Sequence, residues 1–298
     1  MVEIRRILCS VDFSDTSRHA LEHAVAIAKW YGSHITLLHV ASPAFVLKPP
    51  ILLAEFADSV STAVDKAVVE KRLRDWLQPA STAGVPTDVL VKAGNPAPCI
   101  LESAASLPAD LLVMGTHGRT GFERFMLGSV TEKVLRKAPC PVLTAPPPAT
   151  TVAKLPYARL LCPVDFAESS LAALRFAFSI AKESDAQLTI LHVLDWPLDD
   201  ELLVERFDSE EFRRVVEGEA RGRLEALVTD DVRTWCKPAT VVTYGRPYRQ
   251  ILEVAESERA DLIVIGVRGR NALDLALFGS TTNQVVRRAS CPVLTLKG

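Results

Sequence analysis

The chain has 298 residues, enough for two domains of ordinary size. Its formal net charge of −2 supplies no basic field for nucleic acid. The six cysteines form no C-x-x-C pair, no apolar run could span a membrane, and MVEIRRILCS is too short in apolar residues for a secretion signal; a reduced, cytoplasmic protein is expected.

Ile4 to Val11 reads as a first strand, followed by an amphipathic helix over Thr16 to Tyr31 with Ala20, Leu21, Ala24, Val25, Ile27 and Ala28 on its apolar face. His34 to Val40 is a second strand. Pro43, Pro49 and Pro50 then break the chain ahead of a long helix from about Ile51 to Ala83. Thr87 to Lys92 is the third strand, and Asn95-Pro96 opens a short helix to Ser106. A fourth strand, a glycine loop, a fourth helix and a closing strand near Pro141 to Thr144 complete the first half. Pro146-Pro147-Pro148 and the small residues to Lys154 form a semi-rigid linker. The second half repeats the order: strand Ala158–Val164, helix Ser169–Glu183, strand Gln187–Val193, helix Asp199–Thr229, strand Ala239–Tyr244 and helix Tyr248–Glu258. Strands alternating with helices imply an α/β fold with a parallel sheet in each half, connected by right-handed crossovers.

The most informative stretch is Asp110 to Thr144, which recurs as Asp261 to Thr295. Each copy opens on a short apolar run (Leu111 to Met114; Leu262 to Ile265) bounded by Asp and Gly, the pattern of a strand buried on both faces. Gly115, Gly118 and Gly128-Ser129 follow, matched by Gly266, Gly269 and Gly279-Ser280, and helical spacing resumes at Val130, Val134 and Leu135 and at Val285 and Val286. A helix start leaves backbone N–H groups unpaired and carries partial positive charge, while glycine lets an anion approach the main chain. This junction therefore reads as a phosphate cradle. The competing reading is a capping box, Ser129-Val130-Thr131-Glu132, closed without a ligand. The second copy, Ser280-Thr281-Thr282-Asn283, lacks the acidic partner yet keeps the glycines.

In an open parallel sheet a ligand lies beyond the carboxyl ends of the strands, where neighbouring connections diverge. Strands one and four flanking that crevice bring Asp12 towards Gly115–Ser129. Asp12 (in SVDFSDTS) and Asp165 (in PVDFAESS) can accept hydrogen bonds from ribose hydroxyls. Alternatively each caps the next helix, although Thr16 and Ser169 lie nearer the helix start and can take that part. The strand-two ends, His39-Val40 and His192-Val193, offer backbone groups and an apolar surface to a base; no chemistry falls to the histidine side chains. His117, Arg119, Arg268 and Arg270 can screen phosphate charge, or are solvated loop residues. There is no G-x-x-x-x-G-K-[ST] loop, no persuasive general base, and no zinc spacing among Cys9, Cys99, Cys140, Cys162, Cys236 and Cys291, most of which sit in or beside apolar runs.

With its VDFS-type strand-one ends, LHV strand-two ends, closing CPVLT segments and the pattern Gly–two residues–Gly–nine residues–Gly–Ser, the chain resembles a tandem universal stress protein. That resemblance covers nearly all of both halves, as domains at 1–147 and 155–298. It implies two open five-stranded parallel sheets in order 3-2-1-4-5, flanked by helices and like those of adenine nucleotide alpha hydrolases. It also implies ATP, with Mg²⁺ as companion cation, between the first and fourth strands. Matching positions place Asp12, Val40, Gly115, Gly118, Gly128, Ser129 and Val130 at one nucleotide, and Asp165, Val193, Gly266, Gly269, Gly279, Ser280 and Thr281 at another. The second loop departs from the pattern, with Asn271-Ala272 for Thr-Gly and Arg268 for His. The implied partners are the adenine nucleotide and the other domain of the same chain, paired through the last strands, with a homodimer as a further form and neither nucleic acid nor membrane. The expected role is ATP-responsive regulation or stress tolerance without catalysis; a slow ATPase and a nucleotide-free dimerisation scaffold are the alternatives.

Overall fold

A computed structural model describes residues 3–41, 54–118, 127–147, 155–195, 210–267 and 279–297, the side chains of 54–65 and 82 excepted. The chain divides into two compact units, Glu3–Ala153 and Lys154–Gly298. In the first, β1 (Arg6–Ser10), α1 (Asp15–Tyr31), β2 (His34–Ala41), α2 (Ala54–Thr82), β3 (Thr87–Ala93), α3 (Pro96–Ser106), β4 (Leu111–Gly115), α4 (Ser129–Lys137) and β5 (Val142–Ala145) follow in turn. Its strands lie in the order β3-β2-β1-β4-β5, all parallel. The second unit runs β6 (Arg159–Pro163), α5 (Glu168–Ser184), β7 (Gln187–Leu194), α6 (Glu210–Leu227), α7 (Asp230–Trp235), β8 (Ala239–Tyr244), α8 (Pro247–Ser257), β9 (Leu262–Gly266), α9 (Ser280–Arg288) and β10 (Val293–Leu296). Its order β8-β7-β6-β9-β10 is again parallel throughout. The α/β fold expected from the sequence pattern and the 3-2-1-4-5 order implied by the family resemblance are both present.

The central strands form the core because their residues are apolar on both faces. Every residue of β4 and β9 is buried. In register, Cys9 lies opposite Val113, and Leu161 opposite Ile263. The Asp that opens each strand-four run ties it to strand one. Asp110 Oδ2 accepts from Arg5 N (3.0 Å) and Arg6 N (2.8 Å), and the Asp261 carboxylate accepts from Ala158 N (2.7 Å) and Arg159 N (3.1 Å). These clamps fix the β1–β4 and β6–β9 register, which sets the carboxyl ends of the two strands side by side.

Most boundaries shift by a residue or two from the sequence reading. The expected helix over Asp199–Thr229 differs more. Its first residues lie outside the described ones, and Thr229, read as its end, instead starts a separate turn of helix. Thr229 Oγ1 accepts from Val232 N (3.5 Å), and Asp230 and Asp231 occupy the first turn of α7, where negative charge suits a helix N-terminus. The Ile51 start of the long helix and linker residues 148–154 also lie outside the described residues.

Candidate functional site

Beyond β1 the chain turns sharply. Phe13 adopts the left-handed region (φ 65°), and Phe166 does the same after β6 (φ 64°). For a residue with a Cβ this costs about 1–2 kcal/mol, so surrounding contacts must hold it. The turn leaves the Asp carboxylate beside the next helix. Asp12 Oδ1 accepts from Ser14 N (3.1 Å) and Ser14 Oγ (2.6 Å); Asp165 Oδ1 accepts from Ala167 N (3.0 Å). Thr16 and Ser169 are not the caps. Ser14 caps α1 by accepting from Ser17 N, while Ala167 at the matching place offers no side-chain cap. Both proposed caps fall two residues past the cap position, inside the first turn, because α1 and α5 begin at Asp15 and Glu168.

The glycine loop leaves β4 next to this turn. A Cβ on Gly118 would stand 2.8 Å from Asp12 Oδ2, so the second carboxylate oxygen faces the loop backbone and leaves no room for a side chain there. Gly128 N donates to Thr116 O (2.9 Å) and Gly279 N to Val267 O (3.1 Å), closing the base of each loop. Thr131 Oγ1 donates to Gly115 O (3.0 Å) and Thr282 Oγ1 to Gly266 O (2.7 Å), fastening the following helix to the strand end. The first bonds of these helices run from Glu132 N to Gly128 O and from Asn283 N to Gly279 O. No side chain caps α4 or α9. The capping box is therefore not formed: Ser129 is already helical, and Glu132 pairs with Arg136 (2.8 Å) rather than returning to the helix start. The amides of Ser129, Val130 and Thr131 precede the first helical donor, Glu132 N, and carry the positive end of the helix dipole. Ser129 and Ser280 are exposed.

Gly115 and Gly266 have a reason to be glycine that needs no ligand. A Cβ on Gly115 would lie 2.8 Å from Thr16 Cγ2 and 3.2 Å from the Thr16 carbonyl carbon; one on Gly266 would lie 2.7 Å from both Ser169 C and Ser170 N. The first turn of α1 or α5 rests on these residues.

Asp12, His117, Gly118 and Gly128 thus gather at the carboxyl ends of β1 and β4, with Ser129 and Val130 at the helix start. His117 lies in the loop, its Nδ1 2.8 Å from Thr116 Oγ1. In the second unit Asp165, Gly279, Ser280 and Thr281 hold the matching places. Val40 and Val193 are half-buried on β2 and β7, across β1 and β6 from the glycine loops. Arg119, Arg268, Gly269 and Arg270 lie outside the described residues.

The sequence reading passed over several residues that build this site. Thr131 and Thr282 fasten the helix, and the only signal was that both copies place Thr two residues after the Ser. Ser17 Oγ and Ser170 Oγ accept from Asp12 N and Asp165 N (both 3.3 Å), a bond announced by Ser five positions after each Asp. The histidines of β2 and β7 also proved structural participants. His39 Nδ1 donates to Val11 O (2.8 Å) and His192 Nδ1 to Val164 O (2.6 Å).

The site is suited to holding an anion. Burial pushes the thiols of Cys9 and Cys162 well above their ordinary range, so neither is a nucleophile at neutral pH. Among the described residues no three His, Cys, Asp or Glu side chains cluster as metal ligands.

Two units of five parallel strands, each with a helix that starts after a glycine beside the strand-one carboxylate, define a duplicated α/β protein. The sequence model of the Universal stress protein family matches residues 3–146 and again 156–297, and the chain belongs to that family. Universal stress protein MJ0531 of Methanocaldococcus jannaschii is 35% identical over 144 residues, 48% of this chain and 83% of that protein. Universal stress protein YxiE of Bacillus subtilis is 33% identical over 143 residues, 46% of this chain and 96% of that protein. The crystal structure of a universal stress protein from Archaeoglobus fulgidus shares the fold over 98% of both chains, with a TM-score of 0.70 at 24% identity.

Proposed function

We propose that each half binds an adenine nucleotide, ATP, and that the protein acts as a nucleotide-responsive regulatory or stress-tolerance protein. The observation that carries this reading is the uncapped start of α4. Its first amides precede the first helical donor, Glu132 N, the loop base is closed by Gly128 N and Thr116 O, and the Asp12 carboxylate faces Gly118 across the crevice. A triphosphate would take the amides of Ser129 and Val130, as anions do at helix N-termini. Asp12 would accept from the ribose hydroxyls, and Val40 would border the base. Asp165, Val193, Gly279, Ser280 and Thr281 would serve the second site. Mg²⁺ would arrive with the triphosphate. Nucleotide bound to the folded chain raises stability by mass action, and it switches the protein only by binding two states differently.

Mass spectrometry of small molecules released from the denatured, freshly purified protein should find adenine nucleotide. Gly118→Val, which drives a branched side chain against Asp12, and Gly128→Val should each weaken ATP binding at the first site about ten-fold or more, a loss of ~1.4 kcal/mol. Unchanged binding by both variants would reject the site.

A further inference from the structure

We propose that His39 and His192 are positioning residues that aim the Asp12 and Asp165 carboxylates at the ligand. The inference rests on the nucleotide reading above and assigns a task to side chains that the fold alone does not demand at a strand end.

Each imidazole brackets its Asp from both sides. Its Nδ1–H donates to the carbonyl of the residue before the Asp, Val11 at 2.8 Å or Val164 at 2.6 Å. A carbonyl only accepts, so the proton sits on Nδ1 in both rings. The same ring packs on the residue after the Asp, with centroids 4.6 Å apart for His39 and Phe13 and 4.8 Å for His192 and Phe166. Those are the two phenylalanines in the left-handed region. An arginine lies over each phenylalanine as well, Arg72 with Cζ 4.1 Å from the Phe13 centroid and Arg223 with Cζ 3.8 Å from that of Phe166. The residues on either side of the Asp are thus fixed by one side chain from the neighbouring strand.

What that fixes is the direction of the carboxylate. With φ positive at Phe13, the Asp12 side chain turns back so that Oδ1 meets Ser14 N while Oδ2 faces Gly118. If residue 13 relaxed to negative φ, the Asp-to-residue-14 closure would open and Oδ2 would leave the crevice. The arrangement recurs in the second unit, although Ser14 is replaced by Ala167 and the Trp76 that meets Phe13 edge-on is replaced by Leu227. The parts present in both units are the histidine, the left-handed phenylalanine, the arginine and the Asp.

The test is a double-mutant cycle on the full chain, read as ATP affinity by calorimetry. His39→Phe with His192→Phe keeps the rings and removes the Nδ1–H. This pair should weaken ATP about ten-fold, the size of one lost hydrogen bond. His39→Asn with His192→Asn keeps an N–H donor near the Nδ1 place and should stay within about three-fold of wild type. In an Asp12→Asn, Asp165→Asn background the Phe pair should add less than about a two-fold loss, because the histidines act through those carboxylates. Undiminished binding by the Phe pair, a full additional ten-fold loss in the Asn background, or a ten-fold loss with the His→Asn pair would each overturn the proposal while leaving the nucleotide reading in place. A wild-type chain that does not bind ATP would overturn the nucleotide reading and this one with it. Should the Phe pair not fold, the His→Asn pair and its cycle with the Asp substitutions decide.

Discussion

The turn after β1 and the turn after β6 carry an Asp in the same geometry on different supports. In the first unit Ser14 caps α1 and its hydroxyl also bonds Asp12; in the second Ala167 stands there and α5 has no side-chain cap. Yet the carboxylate meets the N–H two residues on at 3.1 Å in one unit and 3.0 Å in the other. The helix starts after the glycine loops teach the same lesson. Glu132 and Asn283 differ, but α4 and α9 both begin after an uncapped glycine. What stays constant between the halves is the arrangement around the crevice; what varies is ordinary helix-end chemistry.

The largest break in that symmetry should come from the packing glycines. Gly266→Ala drives a methyl into the backbone of α5, so it should destabilise by about 3 kcal/mol or more. Gly115→Ala meets chiefly the Thr16 methyl, which can rotate, and should cost about 1–2 kcal/mol. Urea unfolding of the two variants measures the difference; equal losses would remove the distinction drawn between backbone and side-chain neighbours.

Acid should separate the halves nearly as far. His23 is buried in α1, its Nε2 3.3 Å from His19 Nε2, and His19 Nδ1 in turn pairs with Glu22 at 3.1 Å. Burial, and then the neighbouring His19, lower the His23 pKa from 6.5 to about 4. The second unit has Ala172 and Phe176 at the matching places. Between those pH values the unfolded chain binds the proton and the folded chain does not. The contribution is therefore complete above about pH 6.5 and is lost as pH falls towards 4, by up to about 3 kcal/mol. His23→Phe should flatten that part of the stability–pH profile, and an unaltered slope would count against it.

A smaller loss is expected from Thr131→Val or Thr282→Val. Each removes the hydroxyl that bonds the end of strand four and should cost about 1–2 kcal/mol by denaturant unfolding. Smallest is the cap exchange. Ser14→Ala should cost about 1 kcal/mol, and Ala167→Ser should return a similar amount to the second unit. A stabilisation by Ala167→Ser with unchanged ATP affinity would show that cap and crevice are independent.

The parts of the fold that were legible in the sequence are those written in local pattern. Buried strands such as Leu111 to Met114, the glycine spacing and the duplication sufficed for a parallel α/β organisation and the position of the crevice, while the strand order came with the family resemblance. Thr229 was misassigned because a polar residue between two helical stretches serves equally as the end of one or the cap of the next. The Ser129 capping box was offered by the local motif, but the backbone places Ser129 one residue inside the helix. The bracketing by His39 was illegible for another reason: it joins residues 28 positions apart, and no local spacing encodes a ring's partner on the adjacent strand.

The seat of α1 on Gly115 has a bearing on how related chains are read. That glycine answers to the weight of a helix resting on the sheet, so it would persist in a domain that had given up its cargo. An inventory of sequences that counts it as a sign of occupancy would score empty domains as full. Gly118, whose neighbour is the Asp12 carboxylate rather than a helix backbone, is the position where a lost tenant would leave its mark first.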